Sequence, residues 1–189
     1  MAIKSQPFPR HWHHFLSIED DLLLASRWVD FDQPNFQTFS IELARLLMSC
    51  SAEADVIAKQ ICRKLSPQSQ AKSINKYQDI LIERFPELPE CEVYLHRFGL
   101  TLTPWFNWAE TATPPDWWTA NNKVKHHRVE SFEMASLGHT LNSAAGLFVL
   151  LLIHYGLTGK RKLEPAPELF DCSHYGLNDG DNLFLLVQG

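Results

Sequence analysis

The sequence predicts a mainly α protein: a helical bundle with long antiparallel core helices and short accessory β segments. Three observations predict it. Apolar residues recur at helical spacing across 41–65, an unbroken apolar run over 144–153 lies within a longer helix-like stretch, and β-formers concentrate only around 92–103 and 183–187. With 189 residues, 45% of them hydrophobic and 21% charged, the chain has the size and balance of one globular domain. We expect that domain to span 1–189, with an N-terminal arm (1–16) and a C-terminal extension (157–189). A chain of this length buries roughly 70% of the surface it exposes when unfolded, so its core needs no covalent staples.

Pro7, Pro9 and the cluster His11-Trp12-His13-His14 predict an extended arm that docks through its aromatic rings. Ser17 then opens a helix whose first turn holds Glu19 and Asp20, acids that the helix dipole favours there. Asp32-Gln33-Pro34-Asn35 ends it. The long helix is expected over 37–65, with Leu43, Ala44, Leu47, Cys50, Ala54, Ile57 and Ile61 along its inner stripe and Ser66-Pro67 as its stop. A shorter helix over 70–84 turns Ile74, Tyr77, Ile80 and Leu81 inward and stops near Pro86 and Pro89. The loose alternation over 92–103 predicts an extended hairpin.

Pro114-Pro115 marks the next boundary, and Asp116 is placed to cap a helix beginning at Trp117. Ser131 opens the last helix, 131–155, and Gly156 stands where a terminating glycine belongs. Asn178-Asp179-Gly180 predicts a turn before a strand over 183–187, which is expected to pair with the 92–103 segment.

Composition excludes several function classes. A formal net charge of −5 argues against non-specific binding to nucleic acid over the whole surface, and leaves the local basic patch Lys123–Arg128 as the place for an anion. The four cysteines show neither C-x-x-C nor zinc-type spacing, which points to a reducing, cytoplasmic setting. The N-terminal residues lack the apolar core of a signal peptide, and the run at 144–153 is well short of the ~20 residues that span a bilayer, so no membrane partner is expected. No P-loop, G-x-G-x-x-G or G-x-S-x-G occurs, and no cofactor is expected. His11, His13 and His14 offer a metal site with His126 or His139, but no H-x-x-x-H or E-x-x-H pattern supports one.

The site candidate is the segment 117–128. Residues four apart share a helical face, so Trp118, Asn122 and His126 form one column and Asn121, Lys125 and Arg128 the next. An amide, an ammonium and a guanidinium side by side can fork onto a phosphate. A histidine beside them titrates close enough to neutral pH to move a proton. His126 and Arg128 are therefore the candidate catalytic residues, and Trp118, Asn121, Asn122 and Lys125 the candidate ligand-binding ones. The same residues equally serve a structural role, locking the fold and a subunit interface together with Trp105, Trp108 and Trp117.

The pattern W-x3-N-x2-K-H-x-R at Trp118–Arg128, leading into an Ala/Leu-rich helix, resembles the HEPN-like helical bundles, as do the helices around 40–47 and 54–59. That resemblance spans 36–65 and 104–155. It implies a helical bundle, a homodimer, and RNA or another phosphate-bearing ligand as the partner. The superfamily's Arg and His separated by four to six residues are absent: after Arg128 the next histidine is His139, and Arg10 and His14, with three residues between them, are one short. The resemblance therefore implies the fold more than ribonuclease activity. A non-catalytic interaction module and a metal-dependent hydrolase are the two alternatives.

Overall fold

Five α-helices make up most of the structure, a computed structural model that describes residues 8–159 and 163–172 and the backbone of 177–178 and 182–183. They are α1 (Arg10–Ala25), α2 (Ile41–Leu65), α3 (Ile74–Arg84), α4 (Asp116–His126) and α5 (Leu137–Leu157). Strands β1 (Val93–Leu95), β2 (Leu100–Leu102) and β3 (Asp171–Cys172) form an antiparallel sheet in the order β2-β1-β3. Two further short strands, β4 (Leu177–Asn178) and β5 (Asn182–Leu183), pair with each other. The protein is mainly α, as expected.

The first helix starts inside the expected arm. Pro9 occupies the position before α1, where a missing N–H costs nothing. Trp12, Phe15, Ile18 and Leu22 then recur at helical spacing and are buried, and the Trp12 indole donates to the carbonyl of Pro165 at 2.9 Å. Docking through aromatics holds, but on a helix. Residues 1–7 of the expected arm lie outside the described residues.

Two other helix starts shift for one shared reason. Ser40 caps α2, its hydroxyl accepting from Leu43 N at 3.1 Å, while Phe39 makes an antiparallel bridge with Ser136. Ser136, not Ser131, caps α5, and Phe132–Met134 form a 3-10 turn before it. The segment before α2 makes this choice: Thr38 O accepts from Leu137 N at 2.8 Å and Phe36 O from Gly138 N at 3.0 Å. These bonds satisfy N–H groups that a helix start leaves open. At the far end α5 runs through Gly156, and Gly159 takes the left-handed conformation instead, with φ +73°.

The long helices α2 and α5 run in the same direction, which corrects the expected antiparallel pairing. Thr140 Oγ1 donates to Leu43 O near both starts, Cys50 and Ser143 meet further along, and Lys64 Nζ reaches Leu157 O at both ends. The intervening chain, which carries α3, the β1–β2 hairpin and α4, is long enough to return to the same end of the molecule. Helix α1 opposes both. Its His11 meets Glu53 and its Asp21 meets Arg45, while Phe15 stacks on Phe148 of α5 at 5.3 Å.

Buried side chains from all five helices and the sheet form one apolar cluster around α5. That helix is long and apolar enough to cross a membrane, and 78% of the window concerned is buried within the fold. Gly146 permits the closest approach in this core: a Cβ there would lie 3.0 Å from Trp117 Cζ2. The hairpin forms over 93–102 as expected, turning at Gly99 with φ +61°. Its third strand is Asp171–Cys172 rather than 183–187. Leu183 pairs with Leu177, and 184–187 lie outside the described residues.

Candidate functional site

Helix α4 begins at Asp116, with Pro115 rather than Asp116 in the capping position. Trp117, Ala120, Asn121 and Val124 form its buried face. Asn121 therefore points inward, away from the exposed Lys125 one turn on. Trp118 is half-buried and packs edge-on against Trp117 at 5.7 Å, while Asn122 and His126 below it are exposed. The helix stops at His126, so Arg128 is no longer in its column. The Arg128 guanidinium instead turns to α2, with Nη2 at 3.3 Å from Met48 Sδ. Of the two expected columns, the one through Trp118, Asn122 and His126 exists and the one through Asn121, Lys125 and Arg128 does not.

The end of α4 is nevertheless a basic surface. Lys123, Lys125, His126, His127 and Arg128 are all exposed. Among the described residues none of them lies within ion-pair distance of an acid. Lys123 and His127 belong to the basic patch Lys123–Arg128 expected to take an anion, though to neither expected column.

A polar cleft of about 320 Å³ lies at the other end of α4, between its first turn, the start of α5, the segment 103–107 and Phe36-Gln37. Its hydrogen bonds fix which atoms remain open. His139 Nδ1 lies 2.9 Å from Met134 O and 3.1 Å from Ser136 Oγ; Met134 O can only accept, so Nδ1 donates to it. Asn142 Nδ2 donates to Gly138 O at 2.9 Å, which leaves its Oδ1 open. Asn107 grips Asp116 twice: its Nδ2 donates to Oδ1 and its Oδ1 accepts from Asp116 N, both at 3.3 Å. His139 is thus a hydrogen-bonded helix residue that also lines a cleft, which its setting in the sequence did not reveal.

The N-terminal histidines diverge. His11 pairs with Glu53 through Nδ1 and faces Gln60 through Nε2 at 3.3 Å, whereas His14 Nε2 lies 3.3 Å from Ser49 Oγ. Among the described residues no three His, Cys, Asp or Glu side chains group around a common point that could hold an ion. His154 packs edge-on against His11 at 5.9 Å; burial, then the charges of His11 and Lys64, push its pKa down to about 4. All four cysteines are buried and none forms a disulfide among the described residues, and the fold brings Cys91 and Cys172 to a sulfur–sulfur distance of 3.5 Å.

No family model matches the chain, and no curated protein or solved structure matches it.

Proposed function

We propose that the protein is a binding module for a phosphate-bearing polyanion, RNA being the class, held on the basic end of α4 by Asn122, Lys123, Lys125, His126 and Arg128. One observation carries this: five of the six positions 123–128 are exposed and basic or titratable, and among the described residues none lies within ion-pair distance of an acid, in a chain of net charge −5. Such a patch favours phosphate through counterion release. Binding is better supported than cleavage. A general base needs a partner that fixes its ring, and among the described residues no hydrogen bond orients His126. The HEPN-like ancestry and the cytoplasmic setting belong to the same proposal, supported by the mainly helical fold and the four buried thiols. The test is anisotropy with a labelled single-stranded RNA across a salt series. The double variant Lys123→Glu/Lys125→Glu should bind more weakly with a shallower salt slope, and unchanged binding would remove the proposal.

A second reading, self-association, has its own observation. Trp28 is 84% exposed, Ile41 76% and Val129 92%, and they border two apolar grooves that meet at Arg45. Large exposed apolar surface of this kind marks an interface. A second copy of this chain fits best because the surface is electrostatically self-complementary. Asp21 and Glu42 share one arginine, Arg45, at one side, and Arg128 lies at the other without an acidic partner among the described residues. A two-fold arrangement sets each Arg128 against the acids of the other copy. Sedimentation should show a dimer that Ile41→Asp and Val129→Asp dissociate; a monomer at all concentrations would exclude it.

A further inference from the structure

The cleft at the start of α4 is equipped for a ligand of the opposite charge. Its lining holds one carboxylate, Asp116, and no lysine or arginine. The start of α5, one place where an anion would otherwise settle, is already taken. The first N–H groups of α5 point to protein acceptors: Leu137 N to Thr38 O, Gly138 N to Phe36 O and His139 N to Ser136 Oγ. An open helix start attracts anions, and this one is closed.

Part of the amide and imidazole donor capacity is engaged in the same way, one N–H of each asparagine amide remaining. Asn107 Nδ2 is committed to Asp116, Asn142 Nδ2 to Gly138 O, and His139 Nδ1–H to Met134 O. Asp116 Oδ2, Asn142 Oδ1 and His139 Nε2 have no partner among the described residues, and the Asp116 carboxylate is the only carboxylate lining the cleft. Aromatic residues line the same cleft: Phe106, 66% exposed, with Phe36 and the buried Trp117. At about 320 Å³ the cleft is at the small end of organic ligand sites.

We infer that this cleft binds a guanidinium group. A guanidinium is flat, cationic, carries only N–H donors, and stacks on aromatic rings while its edge meets a carboxylate. An ammonium would meet the charge requirement but leave the flat aromatic walls and the spread of three acceptors unused. The guanidinium has two sources, a free small molecule or an arginine side chain on a peptide. The inference is independent of the RNA proposal, because the cleft and the basic end of α4 are separated by the length of the helix, roughly 15 Å.

The test is an NMR titration of the full chain with methylguanidine, with an acetylated arginine amide, and with the matching citrulline amide, whose urea keeps the shape without the charge. Methylguanidine and the arginine amide should shift the side-chain amides of Asn107 and Asn142 and the Trp117 indole, while citrulline binds at least about tenfold more weakly, a 1.4 kcal/mol difference. Asp116→Asn, which preserves shape, and Phe106→Ala at the exposed rim should each weaken binding by a similar factor with the Thr140 and Trp12 signals unmoved. A Gly-Arg-Gly peptide binding more tightly than methylguanidine identifies an arginine side chain as the source, and the reverse order identifies a small molecule. Equal binding of arginine and citrulline amides, or no shifts at Asn107 and Asn142 up to about 1 mM ligand, overturns the inference.

Discussion

The hydroxyl of Thr140 donates to the carbonyl of Leu43 at 3.2 Å and to that of Ser136 at 2.8 Å, joining the first turn of α5 to the first turn of α2. Thr140 is fully buried, so this bond is made in the core. It is one of the contacts that set the two long helices side by side in the same direction. Thr140→Val keeps the volume and removes the donor. We expect a loss of about 1 kcal/mol, measured by urea unfolding with an unchanged m value; no loss would mean that the hydroxyl contributes nothing to the pairing.

Glu19 ties the C-terminal segment to α1. Its carboxylate accepts from the backbone N–H groups of Glu168, Leu169 and Phe170, at 3.0, 2.8 and 3.3 Å. Burial raises the carboxyl pKa, and the three N–H groups pull it the other way. Glu19→Ala orphans two buried donors and a part-buried one and should cost about 2–3 kcal/mol. Limited proteolysis should then cut first within 163–170. A cleavage pattern identical to that of the wild type would contradict this account of the anchor.

His154 makes stability depend on acid. Its folded pKa of about 4 lies below the ordinary histidine value of 6.5, so the unfolded chain takes the proton first. The neutral ring's contribution is complete above pH 6.5 and is lost as pH falls from 6.5 towards 4. Melting temperature should drop across that window in the wild type and drop less in His154→Gln. Parallel curves for the two proteins would show that His154 is not the titrating group.

Local pattern made most elements legible and tertiary contact decided the rest. The stripe from Leu43 to Ile61 is a local signal, and α2 forms there. The hairpin around Gly99 is equally local. Trp12, Phe15, Ile18 and Leu22 carried the same kind of signal for α1, masked by prolines and histidines that suggested an extended arm. Ser131 and Ser136 are indistinguishable as caps on chemistry alone, and only the backbone of Phe36 and Thr38 selects between them. The relative direction of α2 and α5 leaves no trace in periodicity. Within the candidate site, helical spacing correctly joined Trp118, Asn122 and His126. It failed for Arg128 because the helix ends at His126, and for Asn121 because the apolar neighbours Trp117 and Val124 draw that face inward. The cleft around His139 draws on four separate segments, so no window of sequence displays it.

The central claim, that the basic end of α4 is the anion-binding surface, is tested most directly by NMR mapping with a short single-stranded oligoribonucleotide. The account predicts that amide signals from 122 to 128 and the His126 ring shift in fast exchange, with those around His139 unmoved. Shifts confined to other surfaces, or none in 122–128 at low salt, would contradict it.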